Sequence, residues 1–455
     1  MTAGKEAAGL YKVRLTEKLI RSLRVSLTVD CVAACRGAEA SASSGSSADA
    51  RLRGEEKDAS SGRWRVSSVD WSQDGSTVVL ALSPREREGA RWEADAGGAS
   101  GSAALREAER ISDGRKAKLL FFSTQTGSLT HIRETEWRSI DAVRFVQGGA
   151  RKCLVATSDG AYAVVLWALD ENVLPIRYSL PAPVVPHTGV DVHPTSDLFL
   201  ASCIDGTVLL FHLEKAQALG HVRGSSSCPV AAFDCEGLVY ACSLGNRKIH
   251  LFGCDDDAIE KEPAGQFSSF DLSPFLAPGS HITSLAFGPD EKTLLVCSNR
   301  GQVLLIDAFD GNKIHEYHPA QSSQSLPLFP SSHLSSRSSL PSSRPCPPAY
   351  TPDGKFLLWG SSAAGGALCV WKAIQSPAEA GVQVPPAHAG RGAERKKSGD
   401  PLLVARLRTG VSSQDGEAPG GENAQTCDFV LCSRVHALMI TVTGERLSFW
   451  QPPVV

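Results

Sequence analysis

The sequence predicts an all-β protein, a seven-bladed β-propeller, on three observations. A pattern of alternating strand, tight turn, apolar strand, second turn and third apolar strand recurs seven times along the chain. The apolar runs are short, rich in Val, Leu, Phe and Tyr, and bounded by Gly, Asp, Asn or Pro, which favours strands over helices. The fixed order of strand types suits radial repetition, which leaves only short, protected sheet edges, better than it suits two packed sheets.

The elements follow in order. Residues 20–29, "IRSLRVSLTV", alternate Leu23, Val25, Leu27 and Val29 ahead of the first repeat. The last repeat supplies three strands, so the N-terminal strand at about 20–30 is expected to pair with blade seven and close the ring. The first two strands of the repeats read "VSSVDWSQDGSTVVLALS", "IDAVRFVQGGARKCLVATSDG", "GVDVHPTSDLFLASCIDG", "VAAFDCEGLVYACSLG", "ITSLAFGPDEKTLLVCSNRG", "AYTPDGKFLLWGSS" and "DFVLCSRVHALMITVTG". Their turns, Asp74-Gly75, Gln147-Gly148-Gly149, Glu236-Gly237, Pro289-Asp290 and Pro352-Asp353-Gly354, tolerate positive φ or preset φ as tight hairpins require. The third strands are "AKLLFFS", "YAVVLWA", "TVLLFHL", "RKIHLFG", "QVLLIDA", "ALCVWKA" and "ERLSFWQ", apolar on both parities as in a strand covered on both faces. One domain over 10–455 is expected, with blades at about 64–135, 136–180, 184–220, 226–268, 280–318, 346–374 and 425–452. Stretches at about 36–62, 83–116, 319–347 and 375–424 are low in periodic apolar spacing and read as disordered loop insertions. Such insertions add little closure cost as they lengthen.

Composition narrows the function classes. The 455 residues are 42% apolar and 21% charged with a formal net charge of −3, so any attraction to nucleic acid or anionic lipid must come from a local patch. The 13 cysteines include no C-x-x-C pair and fall mostly in strands, which reads as reduced thiols in a nuclear or cytosolic protein. "MTAGKEAAGLYKVR" has no apolar core of a signal peptide, and no run has the length of a membrane span.

A WD repeat ties its strands with a His, an Asp, a Ser or Thr, and a Trp. The Trp position is held here by Phe122, Trp167, Phe211, Phe252, Ile306, Trp371 and Trp450. All are bulky and apolar, so packing between blades is retained while the indole donor survives in three blades. His187 with Asp205 and Ser202 offers part of the set in blade three. The fold class is thus a divergent, WD-repeat-type propeller. Trp167, Trp371, Trp450, His187, Asp205, Asp307 and Phe309 are expected to be structural.

"LTEKLIRSLRV", "PVAAFDCEGLVYA", "LLIDAFDG", "YTPDGKFLLWGS" and "LSFWQPP" resemble the WD-repeat-containing protein 82 family, the Swd-type subunit of COMPASS. Asp307-Ala308-Phe309 is the most specific match. The resemblance implies a non-enzymatic nuclear scaffold without cofactor, a subunit of histone H3 lysine-four methyltransferase complexes. It also implies membership of protein phosphatase one and transcription-termination assemblies, and binding to the phosphorylated C-terminal repeat of RNA polymerase II. The expected partners are therefore a SET-domain methyltransferase and its companion subunits, with no membrane and no sequence-specific nucleic acid.

Phosphopeptide capture needs Arg or Lys on an exposed rim. Turns between second and third strands share one face of a propeller; Arg247, Lys248 and Arg300 sit in those of blades four and five, Asp159 and Asp205 in those of blades two and three. Ordinary solvated turn charges are the bland alternative. Rival chemistries have weaker support. There is no G-x-S-x-G, phosphate-cradling glycine loop or H-E-x-x-H. Cys427, Cys432 and His436 lack the close pairs of a zinc knuckle. "HVRG" at 221–224 has one arginine where a phosphoinositide-binding propeller carries two, and "RKK" at 395–397 reads as a solvated charge run. A phosphoinositide-binding propeller or a generic interaction scaffold remain the alternative functions.

Overall fold

In the computed structural model the described residues are 16–35, 64–84, 115–147, 151–159, 161–169, 174–254, 265–317, 347–360, 367–374, 402–408, 427–433, 435–436 and 438–452. They form seven four-stranded antiparallel sheets. Blade one comprises Trp64–Trp71, Thr77–Pro84, Lys118–Ser123 and Leu129–Glu134. Blade two comprises Ala142–Phe145, Lys152–Thr157, Ala163–Ala168 and Ile176–Ser179, and blade three Val190–Val192, Leu198–Ser202, Thr207–His212 and Lys215–Arg223. Blade four comprises Ala231–Phe233, Val239–Gly245, Lys248–Gly253 and Gln266–Asp271, and blade five Ile282–Phe287, Thr293–Ser298, Val303–Asp307 and Lys313–Tyr317. Blade six has Ala349–Tyr350, Phe356–Gly360, Ala367–Lys372 and Leu403–Arg408; blade seven has Phe429–Cys432, Met439–Thr443 and Arg446–Gln451.

Blade seven takes its outer strand from the start of the chain. Arg24–Asp30 pairs antiparallel with Arg446–Gln451, from Arg24 opposite Gln451 to Asp30 opposite Arg446. The strand is shorter than 20–30 because Glu17–Ser22 is helical, with the Thr16 hydroxyl accepting from the Leu19 N–H. The helix carries Ile20, and the next residue out carries Leu23, into the apolar layer between blades six and seven. A second correction concerns the stretch 375–424: within it, Leu403–Arg408 is the outer strand of blade six, pairing with Ala367–Lys372. Most of the four low-complexity stretches, and "RKK" with them, lie outside the described residues.

The core is a ring of layers rather than one mass. Seven apolar clusters each join one pair of neighbouring blades, from blades one and two round to blades seven and one. The seven residues at the Trp position occupy equivalent register sites, opposite Val78, Cys153, Phe199, Tyr240, Leu294, Leu357 and Met439 of the second strands. Six are buried, including Ile306, and Trp167 is half-buried, edge-on to Trp137 at 6.0 Å. Packing at this position therefore survives the loss of tryptophan. The polar tie does so unevenly: Trp450 Nε1 donates to Thr441 Oγ1 at 2.9 Å, whereas Trp371 Nε1 is buried with no acceptor among the described residues.

Trp450→Phe tests what that tie contributes. It swaps in the residue other blades use and removes one buried donor, so a loss of about 1 kcal/mol is expected. A urea midpoint unchanged from wild type would show that the bond adds nothing.

Between inner strands the stitching is ionic in origin. Asp70 Oδ2 accepts from the Phe145 N–H of the next blade at 2.7 Å, and Asp191 Oδ2 from the Phe233 N–H at 2.8 Å. Such carboxylate-to-amide bonds are stronger than neutral ones and fix the blade-to-blade register.

Candidate functional site: a basic sector on one rim

Antiparallel hairpins place the second-to-third strand turns and the blade-to-blade connections on the same face. The connection from blade four to five, residues 272–281, lies across both turns named above. The Leu272 N–H donates to Arg247 O at 2.8 Å and the Ile282 N–H to Asn246 O at 3.1 Å. At its other end the His281 N–H donates to Asn299 Oδ1 at 3.0 Å, and the Ala277 N–H to Gln302 Oε1 at 2.9 Å. Arg300 Nη2 lies over Gly279, 3.5 Å from where a β-carbon would stand there. One short segment thus holds the Arg247 and Arg300 turns in a fixed relation.

Lys248 and Arg300 are exposed and Arg247 is half-buried. Among the described residues none of the three forms an ion pair with a carboxylate. Asp271, the strand partner of Lys248, is the nearby acid. Its carboxyl is held below the usual range by the Ser273 hydroxyl and N–H, and further by Lys248 and Arg247. The acidic turns differ. Asp159 Oδ2 accepts from the Arg138 N–H at 2.6 Å, and Asp205 lies 3.8 Å from the Arg223 guanidinium. Negative charge on blades two and three is thus tied down, and positive charge on blades four and five faces outward.

Three of the residues expected to be structural are placed as follows. Asp205 caps its own turn, accepting from the Thr207 N–H at 3.1 Å and hydroxyl at 3.0 Å. His187 instead belongs to the connection between blades two and three, at a left-handed φ of 72°. Its ring meets Phe429 of blade seven edge-on at 4.9 Å, its carbonyl accepts from Arg144, and Thr188 Oγ1 reaches Thr283 O of blade five at 3.4 Å. This turn reaches across the ring toward the inner strands of blades five and seven. Phe309 is 74% exposed, because Asp307 Oδ1 accepts from the Phe309 N–H at 2.8 Å and turns the chain outward there. Ala308, not Phe309, is the buried member of the Asp-Ala-Phe stretch.

The residues of the rival chemistries are placed as follows. Among the described residues no three His, Cys, Asp or Glu side chains cluster to hold a metal; Cys427 Sγ donates to Phe429 O at 3.0 Å. Burial pushes the Cys31, Cys153 and Cys203 thiols up to about 12, far from the thiolate a nucleophile needs. In "HVRG", Arg223 lies beside Asp205, and Gly224 packs on the Leu244 backbone, whose carbonyl oxygen is 2.0 Å from where a β-carbon would stand. The glycine is there for close approach between blades.

Comparison with known proteins bears on this blade. The family described as "WD domain, G-beta repeat" matches residues 273–307, which run from the connection above through the third strand of blade five. The chain is a seven-bladed β-propeller with one stretch, in blade five, that is similar to a WD repeat. The chain is similar to WD repeat-containing protein 82 of Drosophila melanogaster, 28% identical over 40% of this chain and 49% of that protein. Set1 complex component swd2 of Schizosaccharomyces pombe is 32% identical over 28% of this chain and 34% of that protein. COMPASS component SWD2 of Saccharomyces cerevisiae is 30% identical over 40% of this chain and 48% of that protein. The chain therefore spans about half, or less, of the curated relatives it matches. The propeller domain of Myceliophteria thermophila Cps50 (Swd1) superposes with a TM-score of 0.51 at 12% identity, over 86% of this chain and 97% of that one, a likeness of fold.

Proposed function

We propose that this propeller is a non-enzymatic scaffold subunit of a COMPASS-type histone H3 lysine-four methyltransferase assembly in the nucleus. Similarity to the Set1 and COMPASS components named above is the observation that carries this reading. In this role the rim of blades four and five serves as a phosphopeptide platform, with Arg247, Lys248 and Arg300 meeting the phosphorylated C-terminal repeat of RNA polymerase II. Exposed Lys248 and Arg300 beside half-buried Arg247, none of them in an ion pair among the described residues, suit a phosphate, because charge-assisted bonds to its oxygens outcompete water. Participation in protein phosphatase one and transcription-termination assemblies belongs to the same reading, since a rigid ring has several rims to offer different partners.

Affinity purification of the tagged full-length chain followed by mass spectrometry tests the scaffold role. Recovery of a SET-domain methyltransferase is expected. Recovery of only membrane-trafficking or splicing factors would overturn it.

A further inference from the structure

The connection over the basic rim reads Asp271-Leu272-Ser273-Pro274-Phe275-Leu276. A serine followed by proline is the sequence that proline-directed protein kinases modify, provided the hydroxyl is reachable. The described residues hold two other such dipeptides, Ser83-Pro84 and Thr351-Pro352, but Ser83 and Thr351 are buried at 0% and 1% exposure. Ser273 is half-buried and Pro274 is exposed. Leu272 and Leu276 beneath them are buried, so the segment is pinned by its leucines and presents the Ser-Pro step outward.

What surrounds Ser273 gives the modification a consequence. Its neighbour Leu272 donates to the carbonyl of Arg247 at 2.8 Å, so the hydroxyl is one residue from the Arg247 turn. The Ser273 N–H and hydroxyl both bond to Asp271, the strand partner of Lys248. A phosphate there stands between one carboxylate and two cations.

We propose that Ser273 is a phosphorylation site, and that its phosphate occupies the Arg247–Lys248 patch and closes it to phosphorylated ligands. The part concerning ligands rests on the phosphopeptide reading given above. In the step, Ser273 Oγ attacks the γ-phosphorus of ATP bound to the kinase. The new Oγ–P bond replaces the bond to ADP, which leaves, and the hydroxyl proton passes to the kinase's base. The product carries close to two negative charges at neutral pH. Arg247 and Lys248 then take the tethered phosphate in preference to one from solution, because tethering raises its effective concentration to the millimolar range. Asp271 loses its serine donor and is repelled, while Arg247 and Lys248, with no ion pair to break among the described residues, turn toward the phosphate.

The test uses the full chain, incubated with ATP and a proline-directed kinase, beside Ser273→Ala treated identically. That control cancels any phosphate at other Ser-Pro steps. Mass spectrometry is expected to locate a phosphate on Ser273. Its phosphorus resonance, identified by its absence from Ser273→Ala, is expected to titrate about 0.5 lower than in the Arg247→Gln/Lys248→Gln variant. Anisotropy with a phosphorylated polymerase-repeat peptide is expected to show at least about 10-fold weaker binding after modification, and no change in Ser273→Ala. No phosphate on Ser273, or one that titrates identically with and without the two cations, would overturn the proposal. So would unchanged peptide affinity in the modified protein. If the unmodified chain binds no peptide, the phosphopeptide reading falls, and the titration alone decides whether the phosphate sits in the patch.

Discussion

A chain lacking residues 1–30 is expected to lose the closed ring. The deletion removes the outer strand of blade seven, leaving Arg446–Gln451 as an open edge. It also removes Ile20 and Leu23, at 1% and 5% exposure, from the layer that glues blade seven to blade six. Burial of two such side chains is worth about 3–6 kcal/mol together. Ladder bonds and side-chain contacts such as Ser26 Oγ to Phe449 O at 3.1 Å go with them. Against a typical total of about 5–15 kcal/mol, little folded monomer remains. The open edge invites pairing between chains, so the expected product is aggregated or high-mass material on size exclusion. Leu23→Asp in the full chain gives a graded version, with a melting point lowered by several degrees or more. A truncated chain that elutes as a monomer and melts with the full chain would show that the strand is ornamental to closure.

Why the ring was legible in the sequence, and its rim only partly, follows from where burial writes a signal. The second strand of each blade is largely buried on both faces, and its turns demand special backbone. Gly75 and Gly354 sit at φ of 67° and 68°, as the Asp-Gly steps announce. Outer strands are half-solvated: only Val222 is buried in Lys215–Arg223, so no apolar run marks it. Leu403–Arg408 lies in low-complexity surroundings that mask its strand pattern. Phe309 misled in the opposite sense, since an aromatic beside a strand end suggests core, and the Asp307 cap that turns it outward is a local geometry. The contacts of His187 with Phe429 and of Thr188 with Thr283 join parts of the chain that no periodicity relates. Hairpin alternation alone puts the Arg247 and Arg300 turns on one face. That residues 272–281 clamp both turns together was not legible, because backbone hydrogen bonds of a connection leave no compositional trace.

Reversing charge in those turns carries the largest expected effect on binding. Arg247→Glu with Arg300→Glu is expected to weaken capture of a phosphorylated polymerase-repeat peptide by about 100-fold or more. Each lost charge-assisted bond costs about 1.5–3 kcal/mol, and a tenfold change is 1.4 kcal/mol. Screening at an exposed rim trims the contribution of repulsion at physiological salt, so the figure rests on lost bonds and grows as salt is lowered. Both side chains reach solvent from turns held through other atoms, the backbone Arg247 O and Asn299 N–H among them, so the fold should tolerate the change. Lys152→Glu, an exposed cation at the start of the second strand of blade two, provides the control. Its loss should stay within about twofold if the blade-four and blade-five sector is the site, since a remote exposed charge acts only through a screened field. Equal losses in both variants would reduce the sector to general positive charge. Unchanged affinity in the double variant, in a protein that binds the peptide, would remove Arg247 and Arg300 from the site altogether.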